Sequence, residues 1–203
     1  MTEILGVILA GGLARRMGGG DKSLRELAGQ TVLDRVISRI SPQVAGLALN
    51  ANGDPARFQS HGLPVLADSE PDYPGPLAGV LAGLDWAASQ GADRIVTVAA
   101  DTPFFPADLV SRLQAAGDGI VLAATPHPQK GLMRHPTFGL WPVALRDDLR
   151  DNLRAGLRKI VAWTDKHAAA QAGFDVDPVD PFFNINTPED MLAAETLLKA
   201  HAL

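Results

Sequence analysis

The chain has 203 residues, with 18 Lys+Arg against 23 Asp+Glu for a net charge of −5, 46% hydrophobic and 20% charged residues, and no cysteine. That length suits one domain able to bury roughly 70% of its unfolded surface without staples, and the composition is that of a folded rather than a disordered chain. The acidic balance argues against nonspecific nucleic-acid binding, and the missing cysteines exclude disulfides, thiolate catalysis, iron–sulfur clusters and cysteine-based zinc sites.

The N-terminal stretch, MTEILGVILAGG, has no basic leader region, and its apolar run is too short for a bilayer, so a soluble cytoplasmic protein is expected. Residues 4–9 read as a buried strand and residues 11–20 as a glycine-rich loop. Residues 31–40 carry Val32, Leu33, Val36, Ile37 and Ile40 at amphipathic spacing, with Thr31 as N-cap. Residues 46–50 and 64–66 read as strands. Pro76 opens a largely buried helix over residues 76–89, in which Gly79 and Gly83 share a face and admit close backbone approach. Residues 94–99 form a strand, 106–115 a helix and 120–124 a strand. Residues 131–134 read as a mobile loop and 137–141 as another strand. One or two helices broken near Gly156 fill residues 145–167, an edge strand lies at 174–176, and a helix spans 188–200.

This alternation predicts an α/β fold with a mostly parallel sheet. In such sheets ligands collect beyond the carboxyl ends of the strands. The glycine loop, Asn50-Ala51-Asn52 and Asp101-Thr102-Pro103 would lie there.

Arg15, Arg16, Lys22 and Arg25 against Asp21 alone put +3 on residues 11–25 and leave −8 for the remainder. Glycines let backbone N–H groups approach anionic oxygens while Arg and Lys neutralise them, as a polyphosphate cradle requires. The segment is not a Walker A loop, because Asp21 precedes Lys22, and Gly11-Gly12-Leu13-Ala14-Arg15-Arg16 does not supply the dinucleotide fingerprint. The alternative is a flexible strand-to-helix connection with solvated basic residues.

Asp101 ends a buried apolar strand, where a carboxylate is costly to desolvate unless paired or bound to a cation. Magnesium takes one or two carboxylates with phosphate oxygens and waters, so Asp101 reads as a metal ligand bridging to phosphate; a turn-forming Asp before Pro103 is the alternative. The proline-rich stretch from Asp68 to Gly79 reads as a rigid wall for a ribose or base, with Asp68 accepting hydrogen bonds, or as turn punctuation. Thr187-Pro188-Glu189-Asp190 starts a helix. Asn184 and Asn186 alternate and so share one side of an extended stretch, suited to a polar ligand or to turns. No histidine has metal-ligand spacing and no Ser–His–Asp arrangement is legible; His135, beside Arg134, is the histidine placed near a site.

Taken in order, Leu9-Ala10-Gly11-Gly12, Arg15-Arg16-Met17-Gly18, Asp21-Lys22, Asn50-Ala51-Asn52, Asp68-Ser69, Tyr73-Pro74-Gly75-Pro76-Leu77-Ala78-Gly79, Asp101-Thr102-Pro103, Arg134-His135-Pro136-Thr137 and Asn184-Ile185-Asn186-Thr187-Pro188-Glu189 resemble the nucleotidyltransferases, and among them the molybdenum cofactor guanylyltransferases. The resemblance implies a single domain over residues 1–203, a Rossmann-like three-layer α/β/α sandwich, with residues 1–105 as the nucleotide-binding half and 106–203 as the pterin-binding half. It implies that GTP and molybdopterin share one cleft with Mg²⁺, and that GMP passes to the terminal phosphate of the pterin with release of pyrophosphate. Leu9, Ala10, Gly11, Gly12, Gly18, Lys22, Asn50, Asp68, Gly75, Gly79 and Asp101 would bind the nucleotide. Lys22, Asp101 and Arg16 would stabilise charge in catalysis, with Asp101 holding the metal. Arg134, His135, Asn184 and Asn186 match the pterin side.

A phosphate monoester nucleophile is already ionised near neutrality, so no general base is required, and catalysis reduces to positioning and electrostatics. Cofactor-biosynthesis proteins and molybdoenzyme chaperones are implied partners; nucleic acid and membranes are not. Related cytidylyltransferases usually carry Ala-Ala-Gly where this chain has Ala10-Gly11-Gly12, which favours guanine. Cytidylyl or sugar-1-phosphate transfer, and a non-catalytic nucleotide-binding chaperone, are the alternatives.

Overall fold

The computed structural model describes residues 3–11, 21–70, 75–129 and 131–201. Strand β1 spans Ile4–Leu9, β2 Glu26–Leu27, β3 Gln30–Thr31, β4 Gly46–Asn50, β5 Val65–Leu66, β6 Arg94–Ala99, β7 Val121–His127, β8 Gly131–Pro142 and β9 Ala170–Gly173. The α-helices are α1 Val32–Ile40, α2 Pro76–Ser89, α3 Leu109–Ala115, α4 Arg146–Arg154, α5 Ile160–Lys166 and α6 Pro188–His201.

Among the described residues the main sheet has seven strands in the order β5-β4-β1-β6-β8-β7-β9. β1 pairs in parallel with β4 and β6, β4 with β5, and β7 with β9. β8 alone runs against its neighbours β6 and β7. The chain leaves β1, moves outward through α1 to β4 and β5, and returns through α2 to β6 on the other side of β1. This reversal of strand order opens a crevice at the carboxyl ends of β1, β4 and β6.

Both faces of the sheet are covered, which is why β1 is apolar throughout. Ile4 and Ile8 pack on the face bearing Leu33, Val36 and Ile40 of α1 and Leu109 and Leu113 of α3. Leu5, Val7 and Leu9 pack on the opposite face with Leu77, Leu81 and Leu84 of α2, Leu149 of α4 and Trp163 of α5. Removing one of these buried leucines, such as Leu33→Ala, costs about 2–5 kcal/mol in transfer and cavity terms. A smaller cluster of Leu27, Val32, Phe104, Ile185 and Ala194 seats α6 against the β2–β3 hairpin.

Local signals explain the main helix starts. Thr31 and Asp34 form a reciprocal capping box at α1, the Thr31 Oγ1 accepting from Asp34 N–H at 3.0 Å. Thr187 and Asp190 do the same at α6, with Asp190 N–H donating to Thr187 Oγ1 at 3.1 Å and Thr187 N–H to Asp190 Oδ2 at 2.9 Å. Gly83 of α2 lies where a Cβ would come within 2.8 Å of Val7 Cγ2, so the helix backbone sits directly on β1.

Three expectations need correction. Residues 131–134 are not a loop but the first part of β8, which continues to Pro142 and pairs antiparallel with β7. The edge strand is Ala170–Gly173, one step before residues 174–176; Phe174 instead buries its ring against Phe182, with 5.4 Å between ring centroids. Helix α3 begins at Leu109, three residues after Pro106.

Candidate active site

A cavity of about 720 Å³ opens where β1, β4 and β6 end, within the range of small-molecule sites. Its floor is Leu9, Ala10 and Gly11, with Asn50 from β4, Ala99 from β6 and Asp101 just past it. The ladders run on past the strand ends. Ala10 N–H donates to Asn50 O at 2.9 Å and Ala100 N–H to Leu9 O at 3.1 Å, so the three ends are fixed to one another.

One wall is built from amides and a carboxylate. Asn50 is 3% exposed, and its Nδ2 donates to Leu66 O at 3.1 Å and to Asp68 Oδ1 at 2.9 Å. Asn52 Nδ2 donates to Asp68 Oδ2 at 2.7 Å, and Asp68 N–H donates back to Asn52 Oδ1 at 2.9 Å. Both carboxylate oxygens of Asp68 are therefore held in place. Each keeps a lone pair for donors on a ligand. Gly79 stands behind this wall rather than in the cavity: a Cβ there would come 2.2 Å from Asn50 Oδ1. Its contribution is to let α2 approach Asn50.

Gly75 lines the cavity at φ +140°, ψ 169°, a conformation that residues with a Cβ rarely adopt. Pro76 follows as the first residue of α2, so this helix starts at the rim, where its free N–H groups and dipole favour negative charge.

A cation pairs with the lining carboxylate Asp101 without itself lining the cavity. Lys22 pairs with Asp101 Oδ2 and donates to Asn186 Oδ1 at 2.6 Å. Its direction is set locally: Asp21 caps the 3-10 turn Lys22–Leu24, accepting from Ser23 N–H at 3.2 Å and Ser23 Oγ at 2.7 Å. Asp101 sits at the end of β6, 15% exposed, and its carbonyl accepts from Ile185 N–H at 2.9 Å. That bond lays residues 184–186 beside the strand end. Ile185 turns into the core while Asn184 lines the cavity and Asn186 meets Lys22, as their alternation predicts. Asp190 accepts the backbone N–H of Asn186 at 2.9 Å. Bonds from the Asn186 and then the Thr187 backbone hold its carboxyl below the ordinary range.

Arg134 and His135 are set back from the cavity. Arg134 points to α5 and pairs with Asp165. His135 stacks on Phe182 with ring centroids 4.2 Å apart and bonds Thr125 Oγ1 through Nε2 at 2.8 Å. Burial pushes its pKa below the usual histidine value, against a smaller upward pull from Asp180. Phe182 lies two residues before Asn184, so His135 supports the strand-like stretch that carries the amides. Gly12, Arg16 and Gly18 lie outside the described residues.

Seven lining residues were not among the site residues read from the sequence: Asp21, Asn52, Gly53, Arg57, Pro76, Ala99 and Thr137. Asn52 had a signal in its Asn50-Ala51-Asn52 setting after a strand. Thr137 is delivered by an irregularity in β8: Leu122 pairs with Gly139 but Ala123 with His135, so three residues bulge out. The bulge aims Thr137 into the cavity, with its carbonyl held by Thr97 Oγ1 at 2.9 Å.

The MobA-like NTP transferase domain matches residues 6–170, and the chain belongs to that family of nucleotidyltransferases. A molybdenum cofactor guanylyltransferase of Bradyrhizobium sp. (strain ORS 278) is 52% identical over 203 residues, covering 97% of this chain and 93% of the relative. One from Cereibacter sphaeroides is 49% identical over 200 residues, covering 98% and 100%.

Two solved structures share the fold. Molybdopterin-guanine dinucleotide biosynthesis protein A of Archaeoglobus fulgidus matches with a TM-score of 0.72 at 21% identity, covering 97% of this chain and 99% of that one. 4-Diphosphocytidyl-2C-methyl-D-erythritolsynthase of Anaerococcus prevotii matches at 0.75 and 15% identity, covering 98% and 96%. No described helix is long and apolar enough to cross a membrane.

Proposed function

We propose that this chain transfers GMP from GTP to the terminal phosphate of molybdopterin, forming the guanine dinucleotide cofactor and releasing pyrophosphate. The observation that carries it is the joining of two differently built walls at one strand-end cavity in a chain about half identical, over nearly its full length, to molybdenum cofactor guanylyltransferases. Asp68, held by two asparagines, offers acceptors for the N–H edge of a base. Lys22 and the start of α2 offer positive charge for a triphosphate. Residues 1–105 supply most of this nucleotide side. Asn184, which lines the cavity, and Asn186, which meets Lys22, would serve the side where the second substrate enters.

A terminal phosphate oxygen of the pterin attacks the α-phosphorus of GTP. A new P–O bond forms as the bond to the bridging α–β oxygen breaks, and the electron pair leaves with pyrophosphate. The nucleophile brings its own negative charge, so no protein base has to act. Lys22 neutralises charge on the phosphates. The amides of Asn184 and Asn186 orient the incoming phosphate, which is where positioning lowers the barrier.

Among the described residues no group of three His, Cys, Asp or Glu could cage a metal. Magnesium does not need one, because it is commonly held by one or two carboxylates plus substrate phosphates and waters. Asp101, a part-buried carboxylate already matched to a cation, fits that donor set and would hold Mg²⁺. When bound, the ion supplies positive charge that offsets the charge developing on the phosphates. Lys22 would then be free to turn from Asp101 to a phosphate oxygen.

Titration of the protein with GTP and with CTP, each with Mg²⁺, tests the nucleotide side directly. GTP is expected to bind more tightly. Equal or tighter binding of CTP would contradict the guanine assignment.

A further inference from the structure

We propose that Arg57 is a positioning residue for this transfer: its guanidinium braces the phosphate end of the pocket against the base end and so fixes the span between Lys22 and Asp68. This role presupposes the guanylyl transfer proposed above.

Arg57 lies in the 3-10 segment Pro55–His61, which follows β4, and it lines the cavity. Two hydrogen bonds and one ion pair radiate from its planar fork. Nη2 donates to Asn52 O at 2.7 Å and Nη1 to Asp54 O at 3.2 Å, fixing the turn that carries Asn52. Nε stands 3.4 Å from Asp21 Oδ2. Asp21 is the cap that starts the Lys22 turn, and Asn52 is half of the reciprocal pair that holds Asp68. One cation therefore touches the immediate support of both the phosphate-binding lysine and the base-facing carboxylate.

The brace has a rigid footing. The guanidinium lies 4.6 Å over the ring of Phe58, which is 1% exposed in the core beneath α1. His61, at the end of the same segment, pairs with Asp34 of α1 at 3.3 Å. Only arginine matches this set: a lysine ammonium carries the charge but cannot address Asp21 and two carbonyls from one plane. Arg57 keeps a third of its side chain exposed, so the Asp21 pair contributes little to stability. Its effect is geometric, and it falls on binding in the pocket.

The test compares wild type, Arg57→Ala, Arg57→Lys, Asp21→Asn and the Arg57→Ala/Asp21→Asn double variant in guanylyl transfer, in calorimetric GTP binding and in thermal melting. Arg57→Ala is expected to raise KM for GTP about tenfold, with kcat within about threefold of wild type and the melting curve nearly unchanged. Arg57→Lys is expected to recover only part of the KM. The double variant is expected to be no worse than Arg57→Ala alone, because both changes break one link.

An Arg57→Ala enzyme that binds GTP and turns over like wild type overturns the proposal, as does a KM loss that tracks a fall in melting temperature and is fully recovered by Arg57→Lys. Wild-type protein that binds GTP without transferring GMP overturns the guanylyl-transfer assignment, while the binding arm still decides Arg57. Absence of GTP binding by wild type overturns both.

Discussion

Lys22 and Asp101 lie far apart in sequence, one in the 3-10 turn Lys22–Leu24 and the other just past β6, and they meet as an ion pair whose carboxylate lines the cavity. The pair keeps the Asp101 carboxylate matched before any substrate arrives. Under the proposed transfer, a triphosphate would displace this pair, the ammonium turning to phosphate and the carboxylate to a cation.

Lys22→Ala and Asp101→Ala are therefore expected to fail differently. Loss of Lys22 weakens GTP binding and raises KM. Loss of the Asp101 carboxylate leaves the fold intact, since the backbone carbonyl and not the side chain receives Ile185, but lowers kcat by about 10²–10³. Steady-state kinetics on both variants, with circular dichroism for the fold, checks the split. Equal effects of the two changes on KM and kcat would count against it.

Gly79→Ala probes the wall from behind. The new methyl would press on Asn50 Oδ1, and the asparagine, held by Leu66 O and Asp68, has nowhere to retreat. Overpacking of this kind costs about 1–3 kcal/mol. The melting temperature should fall and KM for GTP should rise. A variant as stable and as tight as wild type would show that the wall yields.

Glu70 ties the same wall to α4. Its Oε1 is 2.7 Å from Arg154 Nη2 and 3.3 Å from Arg150 Nη1, and Arg150 also reaches Asp85 at 2.6 Å, the residue that receives Ser69 Oγ. The Arg154 bond is the leading reason the Glu70 carboxyl is held below its ordinary range. Glu70→Gln is expected to raise KM for GTP several-fold at unchanged kcat, because the stretch next to Asp68 loses its anchor. KM values for wild type and variant, measured at low and high salt, test this; the gap should narrow as salt screens the wild-type pair.

His135 makes stability depend on pH. Burial lowers its pKa in the folded state below the unfolded value of 6.5, so the unfolded chain takes up the proton first as pH falls. Its contribution is complete above 6.5 and is lost as pH drops below that value toward the folded one. The melting temperature of wild type should fall more between pH 7.5 and pH 5.5 than that of His135→Phe, which keeps a ring against Phe182. Identical pH profiles would remove His135 as a source of the slope.

The parts of this fold with strong local punctuation were legible in the sequence. Pro76 after Gly75 marks the start of α2, and β-branched residues mark β6, so both elements lie where pattern alone places them. The first part of β8 was not legible because Gly131, at φ +70°, and Pro136 are turn residues used here at a hairpin tip and a bulge. β9 has no β-branched residue, Ala-Gln-Ala-Gly, and becomes a strand only because β7 is there to pair with it.

Of the residues that line the cavity, Gly11, Asn50, Asp68 and Asp101 stood out by residue type and by their position after strands, and Asn184 by its alternation with Asn186; the glycine loop beyond Gly11 lies outside the described residues. Arg57 did not, because an arginine in a surface turn gives no sign that Asp21, distant in sequence, closes beneath it. Arg134 and His135 were adjacent in sequence, yet a strand sends neighbours to opposite faces, and neither reaches the cavity.

The most direct measurement incubates the purified chain with Mg²⁺, molybdopterin and either GTP or CTP and follows dinucleotide product together with pyrophosphate. Guanylyl transfer predicts the guanine dinucleotide and pyrophosphate in equal amounts from GTP, with CTP a poor substitute. Preferential product from CTP, or GTP binding with no pyrophosphate released, would contradict it.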